Sequence, residues 1–295
     1  MSRPKRIIDA HHHLWDLSEN IHPWLSKAGP HPMFGEDFDA LRQTYLPATF
    51  LNDIGDLPVE MSVHLQADAS DPVRESLGLN RMAKAPASRG FPHAIVGYAD
   101  FSKPDVADIL AAQAEISRVV GIRQTLHHRS GRPLDQEIWV RNFGLLRKHD
   151  FSFELQVYPR QLSEALRLVD RYDDIQFVLP HAGLPQDRTA EGIQQWQNAM
   201  CAFAKRENVV VKASGFGMMY RADYLKHTAA VIRDLLAIFG ANRCLAGSNY
   251  PVDRLGASYA DIWQSMFDGT SELSIDERDG FYFGTAARIY KLNEH

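Results

Sequence analysis

Eight short apolar runs alternate with longer amphipathic stretches along this chain, and that alternation limits its fold more than any other feature. The runs are Arg6–His11, Glu60–Gln66, Ala94–Ala99, Val119–Gln124, Ser152–Val157, Ile175–Leu179, Val209–Ala213 and Arg243–Gly247. Each is rich in β-branched and apolar residues and is bounded by polar, Pro or Gly positions, the pattern of a strand. The stretches between them have helical spacing. Asp71–Ala85 opens with Asp-Pro, a cap residue followed by proline at the first helical position. Pro104–Ser117, Asp135–Lys148, Gln161–Arg171, Glu191–Arg206 and Ala222–Phe239 follow suit. A Ser-Ile-Asp-Glu capping box at Ser274 and a last helix over Gly284–Tyr290 close the chain. Strands alternating with helices require a parallel sheet covered by helices. Eight such units, with no linker or low-complexity tract, predict a single α/β domain over residues 1–295, a (β/α)8 TIM barrel. The segment from Asp16 to Phe50 is too long for an ordinary connection. Following the first strand, it is expected to lie over the catalytic face.

Composition narrows the function. The net charge of −5 argues against a general nucleic-acid binder or a polybasic membrane-surface protein, leaving a small molecule as the expected partner. Two cysteines, Cys201 and Cys244, cannot build a disulfide framework or a cysteine-rich zinc site, and both are expected to be small buried residues. No apolar stretch follows the basic residues at the N-terminus, and no run reaches the roughly 18 residues of a membrane helix, so the cytoplasm is the default location. Nothing in the pattern sets the oligomeric state; a homodimer through outer helices is compatible with it. The 13 histidines include three in a row, His11, His12 and His13.

In parallel barrels the active site forms at the C-terminal ends of the strands. Here nearly every strand end carries a polar group: His64 and Gln66 on the second, Arg123 and Gln124 on the fourth with His127 beyond, Gln156 and Tyr158 on the fifth, His181 on the sixth, Lys212 and Ser214 on the seventh, Ser248, Asn249 and Asp253 on the eighth. Along an extended strand His11 and His13 share one side and His12 takes the other. Two imidazoles on one face can chelate a divalent metal or hold a substrate carbonyl, and His181 supplies a third. Arg123 is suited to clamp a carboxylate in a fork, the alternative being an internal ion pair. His64 can orient His11 or His13, touch substrate, or equally be a satisfied buried histidine, and His127 and Tyr158 are further candidates for substrate contact. Trp15 and Trp24 are read as an apolar wall or as packed loop aromatics. Lys212 ends a valine-rich strand and needs an anionic neighbour, because a buried unpaired charge is costly.

The run Ile8-Asp9-Ala10-His11-His12-His13-Leu14-Trp15-Asp16 resembles the opening of the amidohydrolase superfamily, in its amidohydrolase-related lactonase branch. Gly121–Gln124, Leu179–Pro185, Val211–Gly215 and Gly247–Asp253 are similar to further signatures of that branch, in the same order and spanning most of the chain. The branch includes sugar-acid lactonases and 2-pyrone-4,6-dicarboxylate lactonase. The resemblance implies a barrel hydrolase acting on carboxylic ester bonds, opening a lactone of a small organic or sugar acid. It also implies departures. Metal-binding members usually carry a ligand on strand five and an aspartate on strand eight, where this chain has Gln156 and Asn249. One Zn²⁺ or another divalent metal on His11, His13 and His181 is therefore one expectation, and a metal-independent site is the other. Asp253, or a neutral histidine, would take the proton from water. Asp253 could equally cap a helix. The competing functions are a metal-dependent decarboxylase or hydratase, which the absent strand-eight carboxylate disfavours, and a non-catalytic binding barrel.

Overall fold

The computed structural model describes residues 3–27, 29, 31, 34–126 and 133–292. His127 lies outside them. The strands are β1 (Ile7–His12), β2 (Val59–Leu65), β3 (Ala94–Tyr98), β4 (Val119–Arg123), β5 (Ser152–Glu154), β6 (Phe177–Leu179), β7 (Val209–Ala213) and β8 (Cys244–Ala246). They form one parallel sheet in sequence order. The sheet nearly closes. The Asn249 N–H donates to the His11 carbonyl at 2.6 Å, and the His13 N–H donates to the Tyr250 carbonyl at 2.8 Å. Asp9 strengthens the seam by accepting from the Ser248 N–H, the Ser248 hydroxyl and the Tyr259 hydroxyl. The molecule is the (β/α)8 barrel that the alternation predicts.

The α-helices are α1 (Pro23–Ser26), α2 (Pro47–Ile54), α3 (Pro72–Lys84), α4 (Val106–Ala114), α5 (Glu137–Phe143), α6 (Leu162–Arg171), α7 (Ala190–Ala204), α8 (Phe216–Tyr220), α9 (Tyr224–Phe239), α10 (Tyr259–Gly269), α11 (Ile275–Asp279) and α12 (Thr285–Ile289). None is long and apolar enough to cross a membrane. Their starts follow capping chemistry. The Asp71 carboxylate accepts from the Arg74 N–H at 3.0 Å, ahead of Pro72 at the first helical position of α3. The Ser274 and Glu277 side chains reciprocally cap α11.

Several elements differ from the sequence expectation. Helix α10, capped by the Ser258 hydroxyl, covers a stretch the apolar spacing alone did not mark. The helix expected over Asp135–Lys148 is α only from Glu137 to Phe143 and continues as a 3-10 turn through Lys148. Strand β5 ends at Glu154, three residues early. Of the two cysteines, Cys244 is buried but Cys201 is exposed on α7, because its helical position faces solvent.

The barrel interior is filled from below. Ile8, Ala10, Val63, Leu65, Val178, Val210 and Leu245 form one cluster with Phe283, Ala286, Ile289 and Tyr290 of the C-terminal segment, which plugs the lower end. Burying each such large side chain contributes about 1.5–3 kcal/mol. Above this plug lies the partner that Lys212 requires. Its ammonium donates to Glu154 at 2.9 Å, both groups are fully buried, and the Tyr290 hydroxyl also donates to Glu154.

A bulge in β1 sets the phase of the histidine motif. Asp9 pairs with Ser62 and His12 with His64, so three steps of β1 oppose two of β2. Ile8 and Ala10 face the interior. Unbroken alternation would therefore send His12 inward and leave His11 and His13 outside. The extra residue reverses this. His12 points outward, bonding the Ser62 hydroxyl at 2.9 Å and stacking on Phe50 of α2 at 4.2 Å.

Candidate active site

His11, His13 and His181 meet at the upper end of the barrel. The His11 ring lies 5.2 Å from that of His13 and 4.5 Å from that of His181, centroid to centroid. Above them opens a cavity of about 530 Å³. His13, His181, Asn249, Arg123, Gln156 and Tyr158 supply its polar lining. Trp24, Phe34, Met218 and Met219 form an apolar wall. Trp24 and Phe34 belong to the long segment after β1, which does cover this face as its length implied.

Each imidazole has a distinct environment. His13 Nδ1 donates to the Leu65 carbonyl at 2.7 Å, which fixes the tautomer and leaves Nε2 as an acceptor. That Nε2 faces the Asn249 amide oxygen at 3.3 Å, because the amide nitrogen donates to Asp253 at 2.8 Å. Two acceptors thus confront one another. His11 is fully buried, and among the described residues neither of its ring nitrogens has a hydrogen-bond partner. Burial first, then His181 and Lys212, pushes the His11 pKa well below the usual imidazole value. Burial first, then Arg123 and His64, does the same for His13. Both shifts favour neutral rings at pH 7, and the His13 Nε2 lone pair faces Asn249 at the cavity. His181 Nδ1 lies 3.1 Å from the Ser214 hydroxyl, which also accepts the His181 N–H at 3.2 Å.

The backbone around His181 is unusual. His181, Ala182, Gly183 and Leu184 all have positive φ, and so does Asn249. Consecutive left-handed residues store strain and cluster at functional sites. Gly215 makes the approach possible: with φ of +74°, it leaves a space where a Cβ would stand 2.4 Å from His181 Nδ1. Gly215→Ala is therefore expected to displace the His181 ring and lower kcat/KM by about 10-fold or more, with a stability cost of about 1 kcal/mol from the left-handed backbone. Steady-state kinetics and a thermal melt check this; wild-type kinetics would refute the crowding argument.

Arg123 is buried, yet among the described residues no carboxylate lies within ion-pair distance. Its guanidinium donates to the Gln66 carbonyl and to the Gln156 amide oxygen at 3.4 Å, while Nε has no partner among the described residues. The internal ion pair weighed from sequence is absent among the described residues, and the cation faces the cavity held by neutral oxygens. Asp68, in left-handed conformation beside Gln66, also lines the cavity. The sequence motifs did not mark Asp68, although Asp is among the few residues that tolerate that conformation.

Three further candidates, Asp253, His64 and Trp15, do not line the cavity. Asp253 is buried and accepts from Asn249, from the Gly217 N–H at 2.9 Å and from the Met218 N–H at 2.9 Å. It thus caps α8. Burial, offset in part by the Asn249 bond, raises its pKa to about 7. His64 is fully buried behind β2 and its Nδ1 accepts the Leu14 N–H at 3.1 Å. Trp15 is packed beneath the cavity wall, its indole donating to the Gln43 carbonyl at 2.7 Å. Tyr158 does line the cavity, and its hydroxyl accepts from Gln186 at 3.4 Å.

Comparison with known proteins agrees with this architecture. The amidohydrolase family model matches residues 8–292. A Sinorhizobium fredii protein called the uncharacterized protein y4mH is 35% identical over 97% of this chain and 98% of its own length. An L-fucono-1,5-lactonase of Burkholderia multivorans is 29% identical over 97% of this chain and 96% of its own. A crystal structure of a Burkholderia multivorans amidohydrolase with bound zinc superposes with a TM-score of 0.83 at 28% identity, covering 98% of this chain and all of that one. The barrel, the histidines at its strand ends and the match across almost the whole sequence place this chain in the amidohydrolase family.

Proposed function

We propose that this protein hydrolyses a lactone of a small organic or sugar acid, with residues 1–295 acting as one catalytic domain. The observation that carries the reading is the convergence of three buried imidazoles at a cavity also lined by Arg123, a buried guanidinium with no carboxylate within ion-pair distance among the described residues. The B. multivorans L-fucono-1,5-lactonase, 29% identical over nearly the full length, supports it.

In this mechanism the lactone lies over His13 and His181, against the apolar wall. Arg123 binds its carboxylate or ring oxygens. Water adds to the carbonyl carbon while the neutral His181 imidazole takes the water's proton. The tetrahedral oxyanion is held by the positive potential of the site. The ring C–O bond then breaks and the proton passes from His181 to the departing oxygen, leaving the open hydroxy acid. Asp253 orients Asn249, which in turn faces His13. Tyr158 contacts substrate, whereas Trp15 and His64 support the site from behind. His127, outside the described residues, stands as a further substrate contact.

The donor set fits a divalent cation. Among the described residues neither His11 nitrogen has a partner, so its unprotonated one is open to a cation, and His13 Nε2 and Asn249 Oδ1 confront each other without a proton to share. Among the described residues no group of three His, Cys, Asp or Glu side chains forms a ready-made cage, so the fit is one of donor chemistry. Zn²⁺ held by His11 and His13 beside the Asn249 amide oxygen would polarise the lactone carbonyl and acidify water, leaving the His181 imidazole to move the proton.

A panel of aldonolactones, muconolactones and pyrone dicarboxylates, read by acid release before and after chelation, tests this function. At least one class is expected to be opened well above the uncatalysed rate, with loss on chelation and recovery on adding zinc. Carbon dioxide release from aromatic acids without lactone opening would contradict the function. Undiminished rates in metal-free protein would contradict the zinc.

A further inference from the structure

Three successive carbonyls at the end of β2 each hold a side chain of the cavity. The Leu65 carbonyl accepts from His13 Nδ1 at 2.7 Å, the Gln66 carbonyl from the Arg123 guanidinium, and the Ala67 carbonyl from the Trp24 indole at 2.7 Å. These side chains come from the end of β1, the end of β4 and the long segment after β1, and all three line the cavity. One stretch of backbone therefore aims an imidazole, a cation and an aromatic wall.

The sheet does not fix that stretch by itself. The ladder to β3 ends with the Gln66 N–H donating to the Val96 carbonyl at 2.8 Å. The next N–H, of Ala67, donates instead to Glu75 Oε1 of α3 at 2.8 Å. The same carboxylate oxygen faces His22 Nε2 at 3.4 Å and His64 Nε2 at 3.8 Å. His64 Nδ1 accepts the Leu14 N–H, so its proton sits on Nε2, toward Glu75. Glu75 is 4% exposed and does not line the catalytic cavity. Burial would raise its pKa, but the His22 and His64 contacts outweigh this and hold it at about 2, so the group is an anion at neutral pH. One buried carboxylate thus ties together the end of β2, the end of β1 through His64, and the segment carrying Trp24 through His22.

We propose that Glu75 is a positioning residue, whose carboxylate holds the Leu65–Ala67 carbonyls in the placement that aims His13, Arg123 and Trp24 into the cavity. Its effect on turnover rests on the lactonase reading; its effect on the histidines does not. The test compares wild type, Glu75→Gln, Glu75→Asp and the remote core control Leu168→Ala. Two signals are read: the ¹⁵N imidazole shifts of His13 and His64, and kcat and KM for whichever lactone the panel identifies. In wild type, His64 is expected as the Nε2–H tautomer and His13 as the Nδ1–H tautomer. In Glu75→Gln both should move toward tautomer mixtures. There kcat should fall and KM rise together, lowering kcat/KM by about 10-fold or more, as outer-shell substitutions typically do. Glu75→Asp, which keeps the charge, should recover part of both signals and serves alone if Glu75→Gln does not fold. Leu168→Ala should lower Tm while leaving tautomers and kinetics unchanged. Wild-type tautomers and kinetics in a folded Glu75→Gln, or the same changes in Leu168→Ala, would overturn the assignment. If wild type opens no lactone, the function fails, and the imidazole shifts still decide the role of Glu75.

Discussion

His181→Asn is expected to lower kcat/KM for the lactone by about 10²-fold or more while the protein stays folded. Asparagine is the informative replacement because His181 has a φ of 54° and opens a run of four left-handed residues. Asparagine tolerates that conformation better than alanine, so the backbone and its bond to the Ser214 hydroxyl survive the change. What is lost is the imidazole beside His11, at 4.5 Å between centroids, on the wall of the cavity. In the proposed mechanism that ring takes the proton from water and returns it to the departing oxygen. The loss should therefore fall mainly on kcat. A variant with wild-type kcat would remove His181 from the chemistry.

Arg123→Ala is expected to cost about 10²-fold in kcat/KM, most of it through KM, and most severely for lactones that carry a carboxylate. Removing a buried, charge-assisted contact to a ligand costs about 2–5 kcal/mol. Stability should move the other way, or not at all. Among the described residues the buried guanidinium donates only to the Gln66 carbonyl and the Gln156 amide oxygen, and Nε has no partner. Burial of this cation, compensated only at longer range by Asp68, Glu154 and Glu75, is a cost to the free protein. A variant that loses substrate affinity while its Tm is unchanged or higher would show that Arg123 serves binding at the expense of stability. Arg123→Lys should not restore affinity, because an ammonium lacks the planar fork of donors. Retained affinity in Arg123→Ala, or a large drop in Tm, would mean that the residue is structural.

The barrel was legible because its signal is repeated eight times. Val209–Ala213 begins and ends where the apolar run does, and most other strands differ by one or two residues. The misses arise where local pattern is weak and tertiary contact decides. Helix α10 announces itself mainly through Ser258 and the Asp261 it caps. Strand β5 is cut short because pairing with both neighbours stops at Glu154, although apolar residues continue through Val157. In the site, the identities of the histidines could be read from the motif, and period two separated His12 from His11 and His13. Which side faces inward could not, because the bulge that reverses the phase is a property of pairing with β2. Lys212 implied an anionic partner, but finding Glu154 needed the fold, since the two stand 58 positions apart. Asp253 shows the converse. Its position after β8 fits a catalytic base, yet its oxygens are occupied by Asn249 and the start of α8.

Continuous titration of the acid released from 1,5-lactones of six-carbon sugar acids tests the central claim most directly, with wild type, His181→Asn and Arg123→Ala run side by side under conditions where all three are folded. Saturable acid release by wild type, lost mainly in kcat for His181→Asn and mainly in KM for Arg123→Ala, is the result expected if the cavity at the strand ends opens lactones. Equal rates in all three proteins would contradict it.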